Sequence, residues 1–306
     1  MSRKYLLPPC KFYKANLHCH STESDGIYTP AELKEKYMAR GYSIIAFSDH
    51  NRVIPHLDLM DENFIPLTAG EYSIDHDREI FWRYRKCYHL NFISKDKKRE
   101  GFIDYDPAGY SVPEVNSLIS RAAKEGFICQ YNHPRWSMQD MSNFLGLEGI
   151  FSFEVFNTGC EYDTFNGDGE YEYELFSKNG GRSGVSACDD NHRIHDMFGG
   201  FTMIGCEALT YENVIKALCE GDFYASQGPE IKELYIEDGV LHLSCSPVQR
   251  IGIFTNSRFG ASYRSENLDD SLEGATLPLD FDREYIRIVL VDSHGRRAWS
   301  RAYFDV

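Results

Sequence analysis

Residues 15–26 read ANLHCHSTESDG, in which two histidines stand one residue apart at the end of the first apolar segment. Side chains at positions i and i+2 of a strand point to the same face, so His18 and His20 face one direction. A lone histidine in such a place is usually a core residue, but a pair at a strand end is better explained as metal ligands. Cys19 points to the opposite face and is expected to pack in the core.

Apolar segments of strand length alternate with helical patterns along most of the chain, which is typical of a parallel α/β fold. Strands are expected at 12–18, 43–48, 65–70, 88–93, 127–131, 150–155, 183–188 and 201–204. Three helices are each predicted from an N-cap residue and a closing glycine: Thr29 and Gly41, Ser111 and Gly126, and Thr210 and Gly221.

The pattern changes after about residue 225, where helical periodicity gives way to alternating apolar runs. Asp238-Gly239 and His294-Gly295 each predict a hairpin turn. We therefore expect two domains: an α/β domain at 1–225 and a small antiparallel, sandwich-like β domain at 226–306. The strongly acidic stretch 161–174 is predicted to be a solvated loop.

Composition restricts the partners of the chain. Its 306 residues carry a formal net charge of −15, which argues against sequence-independent binding to nucleic acid. The sequence has neither an apolar run of membrane-spanning length nor a signal-peptide pattern, so we expect a soluble, cytoplasmic protein without a membrane partner. Nine cysteines without a CxxC pair are interpreted as buried thiols in a reducing compartment. The oligomeric state stays open.

Histidine or carboxylate side chains recur where other predicted strands end. These residues are His50 after SIIAFSD, Glu71 after IPLTAG, His89 in YHLNFIS, His133 in CQYNHPRW, and Asp190 with His192 in SACDDNHR. Parallel α/β folds place their functional sites at the edge of the sheet where the strands have their carboxyl ends. In addition, a buried carboxylate such as that of Glu71 needs a cation or a cage of hydrogen bonds around it. Taken singly, Asp25 is an ordinary turn residue, His89 a core residue and His133 a turn cap. Their joint recurrence predicts a metal centre.

The motifs NLHCHSTESDG, FSDHN, AGEYS, NHP and DDNH occur in an order that resembles the PHP (polymerase and histidinol phosphatase) superfamily. The resemblance covers about 15–225. It implies a distorted TIM-like (βα)7 barrel, two or three divalent metal ions at the carboxyl-terminal mouth, and hydrolysis of phosphate esters. The tail resembles a small β domain that some members carry.

The resemblance also implies a ligand set. One metal would be held by His18, His20, Glu71 and Asp190, a second by Glu71, His89 and His133, and a third by Asp25, His50 and His192. Asp189, the extra acid in the closing motif, is an alternative to Asp190. Imidazole and carboxylate ligands together suit Zn, Mn or Fe.

Other residues are expected to act on the substrate. Arg135 and Arg193 follow two predicted ligands closely, and we expect them to bind phosphate and take part in catalysis. Asp49, in SDH where the family usually has TDH, is expected to support the ligands in catalysis. Glu154 and Asn157 in FEVFN are expected to contact substrate. The long segment 73–110 is either a lid over the site or a solvated excursion.

The leading functional hypothesis is a metal-dependent phosphoesterase that uses metal-activated water on a small phosphorylated substrate, a nucleotide or sugar phosphate. A nuclease is less favoured because the acidic chain lacks a basic tract with interleaved aromatic residues. The first alternative is an amidohydrolase-type C–N hydrolase, a class that usually has a bridging lysine where this sequence has Glu71. The second is a non-catalytic metal-binding scaffold.

Overall fold

The computed structural model describes residues 3–101, 109–267 and 271–306. The helices in these ranges are α1 (Pro30–Met38), α2 (Val112–Lys124), α3 (Met141–Phe144), α4 (Thr158–Thr164), α5 (Glu170–Lys178) and α6 (Tyr211–Glu220). The strands from the amino terminus to residue 157 are β1 (Lys4–Tyr5), β2 (Phe12–Cys19), β3 (Tyr42–Phe47), β4 (Ile65–Asp75), β5 (Cys87–Ser94), β6 (Phe127–Tyr131) and β7 (Ile150–Asn157). They continue as β8 (Gly184–Cys188), β9 (Phe201–Gly205), β10 (Phe223–Ser226), β11 (Ile231–Glu237), β12 (Val240–Val248), β13 (Arg250–Phe254), β14 (Ala261–Arg264), β15 (Leu272–Pro278), β16 (Tyr285–Val291), β17 (Arg297–Trp299) and β18 (Tyr303–Phe304).

The three predicted helices are confirmed as α1, α2 and α6. At the start of α1, Thr29 and Glu32 form a capping box, in which Glu32 Oε2 accepts a hydrogen bond of 2.8 Å from the backbone N–H of Thr29. The same arrangement opens α2 at Ser111, and α6 ends at Gly221 with φ of 77°. Glycine is suited to this left-handed position because it has no Cβ. None of the helices in the described ranges is both long and apolar enough to cross a bilayer.

The main sheet combines parallel and antiparallel pairs. Its strand order is β14-β13-β16-β17-β10-β9-β2-β3-β4-β5-β6-β7-β8. β2, β3 and β4 are parallel, as are β6, β7 and β8, but β5 runs antiparallel to both of its neighbours, and β9 runs antiparallel to β2.

The expected TIM-like barrel is not confirmed by this topology. Within the described residues, the hydrogen-bonded path ends at β8, and an isolated bridge between Cys19 and Asn191 joins it to the end of β2. Nevertheless, all eight strands predicted before residue 205 are present. Apolar pattern determines whether a segment is a strand, whereas strand direction depends on the connections.

The core lies where the helices cover this sheet. Leu17, Ile44 and Leu67 on β2, β3 and β4 pack with Val214 and Leu218 of α6. Cys19 is fully buried in a separate cluster with Tyr37 and Phe47, as its predicted orientation requires. Burial of these side chains stabilises the sheet by roughly 25 cal/mol per Å² of apolar surface removed from water.

Both hairpins predicted in the tail are confirmed. Asp238 and Gly239 have φ of 50° and 75° between β11 and β12, and the turn containing Gly295 joins β16 to β17. The predicted boundary between 1–225 and 226–306 falls inside β10, which is hydrogen-bonded to β9 on one side and to β17 on the other. The amino-terminal strand β1 likewise pairs with β11 of the tail. The division into two domains therefore stays a prediction.

The prediction of a solvated loop at 161–174 is wrong. This stretch holds the end of α4 and the start of α5. Glu170 at the start of α5 accepts hydrogen bonds from Arg297 Nη1 at 2.9 Å and Trp299 Nε1 at 2.7 Å, and its Oε1 lies 3.3 Å from Arg287 Nη1. Its partners lie more than a hundred residues away in sequence, so composition alone could not reveal them.

Replacing Glu170 with alanine is expected to lower the free energy of unfolding by about 2–3 kcal/mol, because it removes a partner of the buried guanidinium of Arg287 and of the Trp299 indole N–H. The side chain of Arg287 is only 1% exposed. Equilibrium denaturation in urea measures the change.

The matched control is Glu212→Ala, which removes a carboxylate that is 67% exposed and pairs with Lys97 at 2.9 Å. A pair of this kind is worth about 0.5 kcal/mol. Equal losses in the two variants would contradict the stabilising role of Glu170.

Candidate metal centre

The nine residues predicted as metal ligands converge at one edge of the sheet. His18 lies near the end of β2 and His20 directly after it, Glu71 lies on β4, and His89 on β5. The others follow strands β3, β6 and β8, apart from Asp25 in the turn after β2. Because β2, β3 and β4 are parallel, their carboxyl ends meet on the same side. The cavity above them has a volume of about 490 Å³.

Glu71 is the centre of this cluster, and its residue is 1% exposed. Five imidazole nitrogens surround its carboxylate: His18 Nε2 at 3.2 Å, His20 Nε2 at 3.3 Å, His50 Nδ1 at 3.1 Å, His89 Nδ1 at 3.0 Å and His133 Nε2 at 3.5 Å. Burial would raise the pKa of Glu71, but the surrounding histidines hold it well below its usual value. Glu71 is therefore a buried anion within a ring of nitrogen ligands.

Asp190 is the second carboxylate in contact with His18 and His20. Its Oδ1 lies 3.0 Å from His20 Nε2 and 3.2 Å from His18 Nε2. The backbone at Asp190 has φ of 50°, and that at His133 has φ of 22°. Such left-handed conformations are uncommon outside glycine, and they concentrate at functional sites.

Asp189 points away from the cluster. Its carboxylate accepts hydrogen bonds from Tyr37 Oη at 2.8 Å and Thr158 Oγ1 at 2.7 Å, and from the backbone N–H of Phe198 at 2.8 Å. Burial raises the pKa of Asp189 above its usual value, against these hydrogen bonds. Of the two adjacent aspartates, the geometry favours Asp190 as the ligand.

The third predicted ligand group lies nearest to solvent. Asp25 Oδ1 is 3.4 Å from His192 Nε2, and Asp25 Oδ2 is 3.7 Å from His50 Nε2. Burial lowers the pKa of His50 to about 4, which keeps its imidazole neutral at physiological pH. A neutral imidazole is the form that binds metal.

The donor atoms fit divalent cations. Four groups have their ligand atoms within 4.8 Å of one another: His20, Asp25, His50 and His192; His18, Glu71 and His133; His18, His20 and Asp190; and His133, Cys160 and Asp190. Among the described residues, His20 Nδ1 and Glu71 Oε2 are buried without a hydrogen-bond partner. Two imidazole nitrogens, His18 Nε2 and His20 Nε2, also face each other at 3.2 Å. Cations between these atoms would satisfy them.

His89 stands apart from the four groups. Its Nδ1 faces Glu71, and its Nε2 lies 2.9 Å from Ser73 Oγ. Its assignment to the second metal with Glu71 and His133 therefore stays a prediction, and in the structure His18 completes that group.

Glu154 and Asn157 lie beneath the ligands, and this position does not agree with their predicted contact with substrate. Glu154 is 1% exposed, and its Oε1 lies 3.1 Å from His18 Nδ1. Its Oε2 accepts hydrogen bonds from the backbone N–H of His133 at 2.8 Å and from Asn157 Nδ2 at 3.0 Å. Asn157 Nδ2 also donates to Asp190 Oδ2 at 3.1 Å. When the Glu154 carboxylate accepts a hydrogen bond from His18 Nδ1, the proton of the imidazole is held on Nδ1 and the lone pair of Nε2 is free to bind a metal.

Asp49 also has a positioning role in this geometry. Its carboxylate accepts hydrogen bonds from the Ser21 backbone N–H at 2.8 Å, Ser21 Oγ at 2.9 Å and Ser24 Oγ at 2.8 Å. It thereby fixes the turn that carries Asp25, and it is only 3% exposed. The expected role of Asp49 in catalysis, through support of the ligands, stays a prediction.

The two predicted phosphate-binding arginines differ. Arg193 lines the cavity with an exposed side chain and makes no ion pair within the part of the chain that the structure describes. Arg135 instead pairs with Glu172, with Nη2 3.0 Å from Oε2, and is absent from the described lining of the cavity. Only Arg193 is placed to meet a ligand there.

Two tryptophans form part of the cavity wall, and sequence reasoning missed both of them. Trp136 packs with ring centroids 5.1 Å from His133 and 5.5 Å from His89. Trp82 lies between β4 and β5 and is 57% exposed. The aromatic run FWRYR at 81–85, within the suspected lid, was the available signal. The segment 73–110, for which a lid and a solvated excursion are both open, also includes residues 102–108, which lie outside the described residues.

Glu154→Gln is expected to weaken metal binding about 10–100-fold, because an uncharged amide no longer holds the tautomer and basicity of His18. Calorimetric titration of the metal-free protein with Zn²⁺ and Mn²⁺ measures the affinity.

Glu172→Gln provides the control, since Glu172 pairs with Arg135 and lies outside the ligand cluster. An unchanged affinity in Glu154→Gln would contradict the role assigned to this carboxylate.

Comparison with known proteins gives matches of limited extent. No family model matches the chain. A 5′-3′ exoribonuclease of Haemophilus influenzae is 45% identical over 40 residues, which are 13% of this chain and 15% of that enzyme. The match therefore spans far less than two thirds of that relative.

Three solved structures resemble the fold at low sequence identity. A two-domain protein containing a predicted PHP-like metal-dependent phosphoesterase from Bacteroides vulgatus has a TM-score of 0.49 and 15% identity, covering 100% of this chain and 91% of that one. A putative metal-dependent phosphoesterase from Bifidobacterium adolescentis has a TM-score of 0.42 and 13% identity, covering 68% and 96%. PsfC from Pseudomonas syringae has a TM-score of 0.46 and 11% identity, covering 70% and 90%. Independently of these neighbours, this chain has a His, Asp and Glu cluster that could bind metals.

Proposed function

We propose that this protein is a metal-dependent phosphoesterase of the PHP type, built on a distorted barrel. The observation that carries the proposal is the convergence of imidazole and carboxylate donors on one cavity at the strand ends, in overlapping groups that share His18, His20, His133 and Asp190. Overlapping groups of this kind suit two or three divalent ions held close together, and the donor chemistry suits Zn, Mn or Fe.

The proposed ligands are the nine named above, with Glu154, Asn157 and Asp49 holding them in place. Divalent ions in such a site supply an acidified water as nucleophile and positive charge for the phosphoryl oxygens. The protein contributes orientation. The hydrogen bond between Glu154 and His18 Nδ1 turns His18 Nε2 towards the cluster. The hydrogen bond from Asn157 Nδ2 holds the carboxylate of Asp190 in place.

The phosphate of the substrate is proposed to meet Arg193. This guanidinium lines the cavity, where the neighbouring carboxylates Asp25, Asp163 and Asp196 would otherwise repel a phosphate dianion. A charge-assisted contact to phosphate is stronger than a neutral hydrogen bond, and the planar guanidinium matches the geometry of the oxygens.

A nucleotide is the favoured substrate class, ahead of a sugar phosphate. Trp82 and Trp136 present indole rings to the cavity, and indoles stack on nucleobases without selecting a particular base. Short RNA belongs in the substrate panel because the curated relative is named as an exoribonuclease.

We also propose a cytoplasmic location, since the nine cysteines are free and seven of them are buried, which agrees with a reducing compartment.

His20→Ala is expected to lower phosphate release from nucleotides by at least about 100-fold, because His20 belongs to two of the proposed ligand groups. The assay compares Mn²⁺- and Zn²⁺-loaded protein on nucleotides, sugar phosphates, short RNA and p-nitrophenyl phosphate, with His294→Ala as an exposed control.

If the wild-type protein binds metal but releases no phosphate, the proposed phosphoesterase activity is contradicted. Hydrolysis of amide substrates would then identify a C–N hydrolase. A metal-loaded protein that hydrolyses neither phosphate esters nor amides would be a scaffold.

Arg193→Ala is expected to raise the KM for a phosphorylated substrate about tenfold, whereas Arg135→Ala should change it less than about twofold. One lost charge-assisted hydrogen bond accounts for this magnitude. Steady-state kinetics on the same substrate measure both variants. A larger effect from Arg135→Ala would exclude the proposed placement of phosphate.

A further inference from the structure

A second cavity lies on another part of the surface and has a volume of about 570 Å³. Its lining comprises Lys11, Phe12, Tyr13, Lys14, Arg40, Gly41, Ser43, Phe198, Phe201, Met203, Gln227, Gly228, Glu230 and Arg296, which we call the basic groove. Within the described residues it shares no lining residue with the metal cavity. β2 runs from one to the other, and Lys14 precedes His18 by four residues, roughly 13 Å along the strand.

The charge of the basic groove is opposite to that of the molecule. Four cations and one carboxylate, Glu230, are among its described lining residues, although the whole chain carries a formal charge of −15. The metal cavity, by contrast, is lined by five carboxylates: Asp25, Glu71, Asp163, Asp190 and Asp196. Opposite local fields on one molecule separate anionic from cationic ligands.

Three of the four cations of the groove have no ion pair among the described residues: Lys11, Lys14 and Arg40. Arg296 alone is paired, with its Nε 2.7 Å from Asp292 Oδ2. Glu230 lies in the same lining and the buried Asp189 acts on Lys14 through its charge, but neither forms an ion pair with these three cations. Three cations without an ion pair at one cavity leave positive charge available to a ligand, even in a chain with 47 acidic residues.

Lys14 is the most informative of these groups. Its Nζ lies over the rings of Tyr42 at 4.1 Å and Phe201 at 4.2 Å, and it donates a hydrogen bond of 3.4 Å to the Arg40 carbonyl. The side chain is partly buried, and burial lowers its pKa. Ring contacts replace only part of the hydration that a buried ammonium loses.

The other two cations are held in the same way. The Arg40 guanidinium lies 5.0 Å from the centroid of the Phe198 ring, and Lys11 Nζ lies 4.6 Å from that of Tyr13. The aromatic rings thus pack against these side chains at the cavity wall and do not cancel their positive charge. Ser43 and Gln227 add neutral hydrogen-bonding groups to the same wall.

We propose that the basic groove binds a small phosphate-bearing anion, separately from the metal centre. Lys14 and Arg40 provide charge-assisted hydrogen bonds to the phosphate oxygens, and Lys11 strengthens the positive field. The ligand is either free phosphate or a phosphate monoester, and both present the same dianion. This site is independent of whether the metal centre hydrolyses phosphate esters.

The test is a titration of the metal-loaded, full-length protein with inorganic phosphate and with phenylphosphonate, whose P–C bond resists hydrolysis. Hydrogen exchange followed by mass spectrometry locates the bound ligand. The informative segments are 38–43 and 198–203, which line the basic groove and not the metal cavity. Tighter binding of phenylphosphonate would assign the site to a monoester, and tighter or equal binding of inorganic phosphate would assign it to free phosphate.

The variant is Lys14→Gln with Arg40→Gln, and its matched control is Arg121→Gln with Lys124→Gln on α2, which removes the same charge from exposed positions. We expect saturable protection of both segments in the wild type and in the control. The groove variant should need at least tenfold more ligand. If the double variant does not fold, Arg40→Gln alone, at an exposed position, should need about threefold more.

Two results would overturn the proposal. One is the absence of saturable protection at 38–43 and 198–203 in the wild type, including protection confined to segments of the metal cavity. The other is protection that is equally strong in the folded groove variant, which would show that these cations do not hold the anion.

Discussion

Burial of the Glu71 carboxylate is the constraint on which the arrangement of the site depends. An ionised carboxylate that is 1% exposed must be matched by cations or donors, and here imidazoles from five positions along the chain approach it. Those positions meet only if the carboxyl ends of β2, β3 and β6 and the start of β5 lie beside Glu71 on β4. The sheet that aligns them also collects more ligand atoms than one cation needs, so metal binding and folding should favour each other.

The sequence allowed the clustering of imidazole and carboxylate donors to be predicted better than the residues that support them. His18, His20 and Glu71 could be located because strand periodicity and motif order place them at strand ends. Glu154 and Asn157 also follow this pattern, but their hydrogen bonds to His18 and Asp190 turn them beneath the ligands. Such partners depend on tertiary structure. For the same reason, the antiparallel directions of β5 and β9 and the helices within 161–174 escaped prediction.

The adjacent aspartates show how one turn serves two purposes. Because the backbone at Asp190 is left-handed, Asp190 faces the histidines while Asp189 faces the opposite way. Asp189 binds the backbone N–H groups of Phe198, Gly199 and Gly200, and Phe198 lines the basic groove. A single turn therefore connects the metal ligands mechanically to the surface on which we place a second anion.

The pairing of β10 has a consequence for how this protein can be cut or rearranged. β10 is hydrogen-bonded to β9 and β17 at once, so the sheet that aligns the metal ligands continues into the tail without a break. A fragment that ended near residue 225 would leave one side of β10 as an open sheet edge, where unpaired amides recruit other chains. Exchanging the tail alone between homologues would therefore replace one partner in each of two strand pairs, β10 with β17 and β1 with β11, so the edges of these strands would have to match in the new chain.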